Sequence, residues 1–265
     1  MGIKAGISLA LLLIFAQTAY AARVTIDPGH SAASPGATGC SATPEYHYNR
    51  QLADTVKETL QRSGVEVLLT TEKHHTPSLA QRAALAQGSD LLISLHHDSV
   101  QPQFVTRSRD GGVCSSKASG FSLFISTRNP AYLKSLEYAT RLAKALKAKG
   151  LTPTLHHAEP IPGENRILLS SELGIYQYDE LRVLKTRETP AILLEAAVIV
   201  NRNDEQKAAG HTFRTVISEA ILETIRQGVH PCKESCQLPS SPSSVHISPL
   251  LPALTAPKRP PEPKK

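Results

Sequence analysis

The sequence predicts an α/β fold. Two observations carry this: short apolar or β-branched runs alternate with amphipathic segments from Val24 onward, and two of those runs deliver histidine at their ends. Such alternation builds an open α/β sheet, and ligands bind in these sheets at the carboxyl ends of the strands.

The first run, starting at Val24, ends in the turn signal Asp27-Pro28-Gly29, and His30 follows with small residues as far as Gly39. This sets an imidazole at a strand's carboxyl end, on a loop too poor in bulky side chains to cover it. A lone histidine there serves structure more often than it binds metal, so His30 needs partners.

From Pro44 to Ser63 the pattern is helical. Leu52, Val56 and Leu60 recur every four residues, charged residues fall elsewhere on the wheel, and Gly64 stops the helix. Glu45 sits in its first turn, where the helix dipole favours a carboxylate whatever else it does. Val65 to Thr70 reads as a second strand and Ser78 to Gln87 as a second helix.

The third strand, Asp90 to Leu95, leads into His96-His97-Asp98. Two strands with histidine at the same edge are much less expected by chance than one. Catalytic zinc sites take three protein ligands from histidine nitrogens and carboxylate oxygens and leave a position open. His30, Glu45 and one of His96 or His97 are therefore the candidates, since neighbouring side chains on a strand point to opposite faces.

Gln101 to Ser119 reads as a loop, Gly120 to Ser126 as a strand and Pro130 to Gly150 as a long helix. Leu151 to Asp179 is irregular and reads as substrate-facing loops; His156 there is an exposed loop histidine by default, with a metal role as the alternative. Ala191 to Leu194 is a buried strand followed by Glu195. A carboxylate in that position is costly unless paired, hydrogen-bonded or functional. It is either salt-bridged to Arg187 or Arg202, or a general base with its pKa shifted toward neutrality. Phe213 to Ile225 closes the domain as an amphipathic helix.

The ends and the cysteines set the compartment. Met1 to Ala21 has Lys4, an apolar run from Ile7 to Ala16 and an Ala-x-Ala ending, the layout of a secretory signal peptide. Its apolar run is short of the roughly 20 residues that span a bilayer, so no transmembrane anchor is expected. The net charge of +6 falls to +5 with this leader removed, and the tail from Gln237 carries +3 of that. The domain is thus close to neutral, and a basic tail without interleaved aromatics argues against nucleic acid and for anionic envelope polymers. Residues 231–265 read as a cysteine-containing junction and a disordered, Pro/Ser-rich basic tail.

Of four cysteines, Cys40 is expected to pair with Cys114 and Cys232 with Cys236, since the latter two are neighbours and the former two lie in Gly/Ser-rich loops. The long bridge closes a loop of about 75 residues, worth roughly 4.5 kcal/mol on chain-entropy grounds. Zinc binding by these cysteines is the weaker reading, because their spacing lacks paired Cys-x-x-Cys motifs.

Taken in order, I-D-P-G-H (Ile26 to His30), P-G-A-x-G (Pro35 to Gly39), Glu45 with N-R-x-L-A behind it, S-L-H-x-D (Ser94 to Asp98) and V-L-K-x-x-x-x-P-A-I-L-L-E (Val183 to Glu195) resemble the zinc-dependent N-acetylmuramoyl-L-alanine amidases of bacterial cell-wall turnover. The resemblance implies a three-layer fold like that of zinc exopeptidases, with a central, mostly parallel β-sheet flanked by helices, over residues 22–230. It also implies Zn2+ held by His30, Glu45 and His96, with His97 a neighbour that does not bind, and Glu195 as the catalytic residue. Two motifs depart from the family's pattern: Ala196-Ala197-Val198 replaces Thr-Gly-Phe, and Tyr46-His47 follows Glu45 where Lys-Asp is commoner.

The substrate so implied is the amide joining N-acetylmuramic acid to L-alanine in peptidoglycan, reached in the periplasm. An activator protein is an optional partner, and any block it relieves could lie in 101–119 or 151–179. Rival readings are another zinc-dependent amide hydrolase or exopeptidase, which would need a pocket for a free terminus, and a wall-binding module without catalysis, which the four retained site residues disfavour.

Overall fold

The structure is a computed structural model that describes residues 22–71 and 76–229. The expected leader, the Cys232–Cys236 pair and the basic tail lie outside the described residues.

Seven strands form the main sheet in the order β2-β1-β3-β9-β6-β8-β7. They are β1 (Arg23–Pro28), β2 (Glu66–Leu69), β3 (Leu91–Asp98), β6 (Ser122–Ile125), β7 (Ile167–Ser170), β8 (Ile175–Gln177) and β9 (Ala191–Val198); a separate ribbon pairs β4 (Thr106–Arg107) with β5 (Val113–Cys114). Pairing is parallel from β2 through β1 and β3 to β9, antiparallel between β9 and β6, parallel again to β8, and antiparallel at the β7 edge. The expected mostly parallel α/β sheet is what forms.

The helices are α1 (Glu45–Arg62), α2 (Leu79–Leu85), α3 (Tyr132–Ala148), α4 (Arg202–Ala209) and α5 (His211–Val229). The apolar stripe of α1, Leu52, Val56 and Leu60, is wholly buried, each such side chain contributing about 2 kcal/mol. Strand alternation divides the sheet between two layers. Val24, Ile26, Leu91, Ile93, Leu95, Ile192 and Leu194 face the large core shared with α1, α3 and α5. Leu92, Phe124, Ala191 and Leu193 face a smaller cluster completed by Ala86, Val183 and Leu184. His96 and Glu195 share the parity of Leu92 and Leu193, so the chemistry belongs to the thinly covered face.

Four local expectations change. His96 and Asp98 lie within β3, and Glu195 within β9, because the pairing of these two strands continues past their apolar runs, with His96 opposite Glu195. The stretch 151–179 contains β7 and β8, an edge hairpin whose short alternation and exposed Ile167 leave little sequence signal. The 101–119 loop carries the β4–β5 ribbon. Finally, α4 follows Asn201, whose side chain accepts from the backbone N–H groups of Asn203 and Asp204. That asparagine, with Asp204 and Glu205 in the first turn, is a helix-start signal the apolar pattern does not show.

The predicted Cys40–Cys114 disulfide is formed, across 74 residues of sequence. It joins the loop before α1 to the β4–β5 ribbon. Glu205 braces the same loop, accepting from the Ser41 N–H, the Ser41 hydroxyl at 2.8 Å and the Tyr48 hydroxyl at 2.9 Å. A Cys40→Ala/Cys114→Ala chain should therefore lose about 4 kcal/mol, read as a lowered urea midpoint, with reductant having little further effect on it.

Candidate metal centre and active site

Three segments bring His30, Glu45 and His96 together. The ladder continues past β1 through the Gly29 N–H to the Leu95 carbonyl, at 2.9 Å, and the next residue, His30, takes φ +65°. This left-handed turn swings its ring back over the sheet edge; such conformations in residues other than glycine concentrate at functional sites. Glu45 opens α1, whose first free N–H groups are satisfied by the loop before it: Glu45 N–H to the Ala37 carbonyl at 2.8 Å and Tyr46 N–H to the Pro35 carbonyl at 3.0 Å. His96 reaches in from β3.

His30 Nε2 lies 3.0 Å from Glu45 Oε2, and His96 Nδ1 lies 3.0 Å from Glu45 Oε1. One donor atom from each residue lies within 4.8 Å of the others. The glycines of the two motifs make this approach possible. A Cβ at Gly29 would stand 2.3 Å from the His96 ring, and one at Gly36, where φ is +78°, would stand 2.3 Å from Glu45 Oε2.

Glu45 also accepts from Ala37 N–H at 3.1 Å, Asn49 Nδ2 at 2.9 Å and His97 N–H at 3.3 Å. Burial alone would raise its pKa, but the hydrogen bonds from His30 and His96 outweigh it and hold the carboxyl well below its usual range. The same bond to Glu45 raises His30 against the opposing effect of burial. A buried anionic oxygen pair facing two imidazoles is the donor set zinc prefers, so these residues fit such an ion.

His97 points the other way, as alternation requires. Its Nδ1 lies 2.8 Å from Asn49 Oδ1, and burial pulls its pKa down to about 4, leaving it neutral. Asn49, which also donates to the Gly29 carbonyl at 3.2 Å, thus links the turn that carries His30 to the ring of His97, the neighbour of His96.

Glu195 stands opposite His96 in the β3–β9 register. Burial, then the neighbouring Asp98 and Glu45 carboxylates, push its pKa well above the usual range, and its Oε2 has no hydrogen-bond partner among the described residues. Neither Arg187 nor Arg202 enters that balance, so the salt-bridge alternative gives way. His30, His96 and Glu195 all line one cavity of about 690 Å3.

Two further groups frame this cavity, one that sequence reasoning missed and one that it touched only through the alternative metal role of His156. Arg82, read only as part of a helix, is buried and donates to Asp27 Oδ1 at 3.3 Å, the Pro28 carbonyl at 3.1 Å and the His30 carbonyl at 2.9 Å. It clamps the turn that presents His30. Its Nε donates locally to the Pro77 carbonyl at 3.1 Å, but the partners that place it at the cavity lie more than 50 residues away in sequence, so nothing local marks that role.

The second group is Asp98, His156 and His157. His156 is only 6% exposed, not the exposed loop histidine expected, because its stretch folds over the cavity wall. Asp98 Oδ2 lies 2.7 Å from His157 Nε2, and His157 Nδ1 lies 2.8 Å from Glu164 Oε2. Burial opposes charge on that ring, but the two carboxylates outweigh it and hold His157 up at about 9 in the metal-free chain.

Fold and site together define an α/β domain with a candidate metal centre at the carboxyl edge of its sheet. A family model described as N-acetylmuramoyl-L-alanine amidase matches residues 24–227, and the chain belongs to that family. Amidase AmiA of Escherichia coli (strain K12) is 26% identical over 232 residues, covering 78% of this chain and 76% of AmiA. Among solved structures, the amidase Ami1 of Mycobacterium smegmatis superposes with a TM-score of 0.62 at 19% identity, covering 78% of this chain and 96% of Ami1. The CwlD amidase of Clostridioides difficile, solved in complex with the GerS lipoprotein, gives a TM-score of 0.57 at 18% identity, over 78% of this chain and 98% of CwlD. At those identities the structures attest the fold.

Proposed function

We propose that this domain hydrolyses the amide between the lactyl group of N-acetylmuramic acid and L-alanine in peptidoglycan, using Zn2+ held by His30, Glu45 and His96 and a proton carried by Glu195. The observation that carries the reading is the Glu45 carboxylate gripped at 3.0 Å by two imidazoles that line the same cavity as Glu195, a glutamate without an ion-pair partner among the described residues.

An ion bound there supplies Lewis acidity to the scissile carbonyl and acidifies water to a pKa of about 7. The chain's own residues do the rest. Arg82, Gly29 and Gly36 fix the positions of His30, His96 and Glu45. Glu195, its basicity raised by burial and by the Asp98 and Glu45 carboxylates, accepts the proton of the attacking water and returns that proton to the departing alanine nitrogen. The C–N bond breaks, the lactyl carboxylate forms, and the stem peptide leaves with a free amine.

The leader places this work across the inner membrane, in the periplasm. Among the described residues no helix is long and apolar enough to cross a membrane. The proposed domain limits are 22–230, with the cysteine-containing junction and basic tail after them. The stretches 101–119 and 151–179 both reach the cavity, through Gln101, His157 and Glu164 among others. A partner protein, such as the lipoprotein bound to CwlD, would act on the site by moving them.

Purified peptidoglycan incubated with the zinc-loaded chain should release L-alanine amino termini, and a chelator should abolish the release until zinc is restored. Release of free amino acids from peptide ends instead would assign an exopeptidase, and release undiminished by chelation would overturn the metal assignment.

A further inference from the structure

We propose that Asp98, His156 and His157 form a second metal site, for a divalent first-row ion of the zinc type, separate from the one built by His30, Glu45 and His96.

One donor atom from each of the three residues lies within 4.8 Å of the others. His157 Nε2 is 2.7 Å and His156 Nε2 3.3 Å from the same oxygen, Asp98 Oδ2. Such spacings resemble the 3.0 Å separations of the first cluster. The two rings lie with centroids 3.9 Å apart and planes tilted by 36°, both presenting Nε2 to that one oxygen.

The surroundings are those of a built site. Metal-binding histidines have their remote nitrogen held by an oxygen, which fixes the tautomer and the ring. Here His156 Nδ1 meets Thr154 Oγ1 at 2.9 Å, and His157 Nδ1 meets Glu164 Oε2 at 2.8 Å. Glu164 is itself held by Gln101 Nε2 at 2.8 Å. The other Asp98 oxygen accepts from the Ser99 N–H at 2.7 Å, which leaves Oδ2 for the shared task.

The decisive atom is His156 Nε2, buried, 3.3 Å from Asp98 Oδ2 and outside hydrogen-bond geometry with any described residue. In the tautomer whose Nδ1 donates to Thr154 Oγ1, Nε2 carries a lone pair facing a carboxylate. A proton on His157 satisfies that ring and leaves His156 orphaned, whereas one divalent cation satisfies both nitrogens and the oxygen. Two imidazoles and a carboxylate suit zinc and its neighbours. Asp98 and His157 line the cavity that also holds His30, His96 and Glu195, so an open coordination position would face the same space.

Metal counting on the full chain tests this. After chelation, reloading with zinc and dialysis, the wild type should hold one ion more per chain than either His156→Gln or His157→Gln, with unchanged far-UV circular dichroism. Cobalt(II) loading gives a second reading: the d–d absorption lost in the variants should carry no thiolate charge-transfer band. Equal metal content in wild type and variants overturns the proposal, as does a lost component with a thiolate band. Should either variant fail to fold, the His30→Gln/His96→Gln chain decides: one nitrogen- and oxygen-bound ion retained supports the site, and none overturns it.

Discussion

Glu195→Gln should lower peptidoglycan hydrolysis by about 10²- to 10⁴-fold, the usual contribution of a positioned proton carrier, with metal content unchanged. Glutamine keeps the shape and loses the ability to take a proton. The same change should stabilise the metal-free chain near neutrality. Burial and the Asp98 and Glu45 carboxylates raise the folded pKa of Glu195 above its unfolded value. For a carboxyl so shifted, folding opposes ionisation, so stability is greatest below the unfolded value and falls as pH rises toward the folded one. Urea titrations of chelated protein at about pH 5 and about pH 8 should thus show an advantage for the variant that grows with pH. A constant difference would mean that Glu195 is ionised in the folded chain and solvated through the cavity.

Glu45→Gln should lose one bound ion, fall to background activity and destabilise the chain by about 3 kcal/mol or more, as expected when one partner of a buried charged cluster is removed. Five groups donate to this carboxylate: His30, His96, Asn49 and the Ala37 and His97 N–H groups. An amide can accept at only one of its two terminal atoms. The pH dependence runs opposite to that of Glu195. Because the folded pKa of Glu45 is depressed, its contribution is present above the unfolded carboxyl value of about 4.3 and is lost as pH falls toward the folded value. Acid titration of stability should be correspondingly shallower in the variant.

His30 and the His96-His97 pair were legible because they follow apolar runs in an alternating α/β pattern, which places them at the same sheet edge; the choice of His96 came from the family resemblance. Glu195 was legible by its cost: a carboxylate after four apolar residues demands a reason. Glu45 was harder, since its place at a helix start has an adequate electrostatic explanation, and only the convergence of three chain segments distinguishes the two. Arg82 was not legible, and neither was the burial of His156, whose metal role stood only as an alternative. The partners that bury Arg82 belong to the first strand and the turn after it, and His156 lies in a stretch without periodicity whose covering hairpin gives almost no signal. The helix beginning at Arg202 was marked by its cap alone, a polar cue that apolar periodicity passes over.

The unequal covering of the sheet makes residue parity a practical guide along β9. Ile192 and Leu194 point into the core beneath three helices, while Leu193 and Glu195 border the cavity. Heat tolerance can thus be adjusted through Ile192 and Leu194 and substrate preference through Leu193, on neighbouring residues of one strand. Selection for a sturdier enzyme and selection for a different muropeptide would leave their marks on alternate residues.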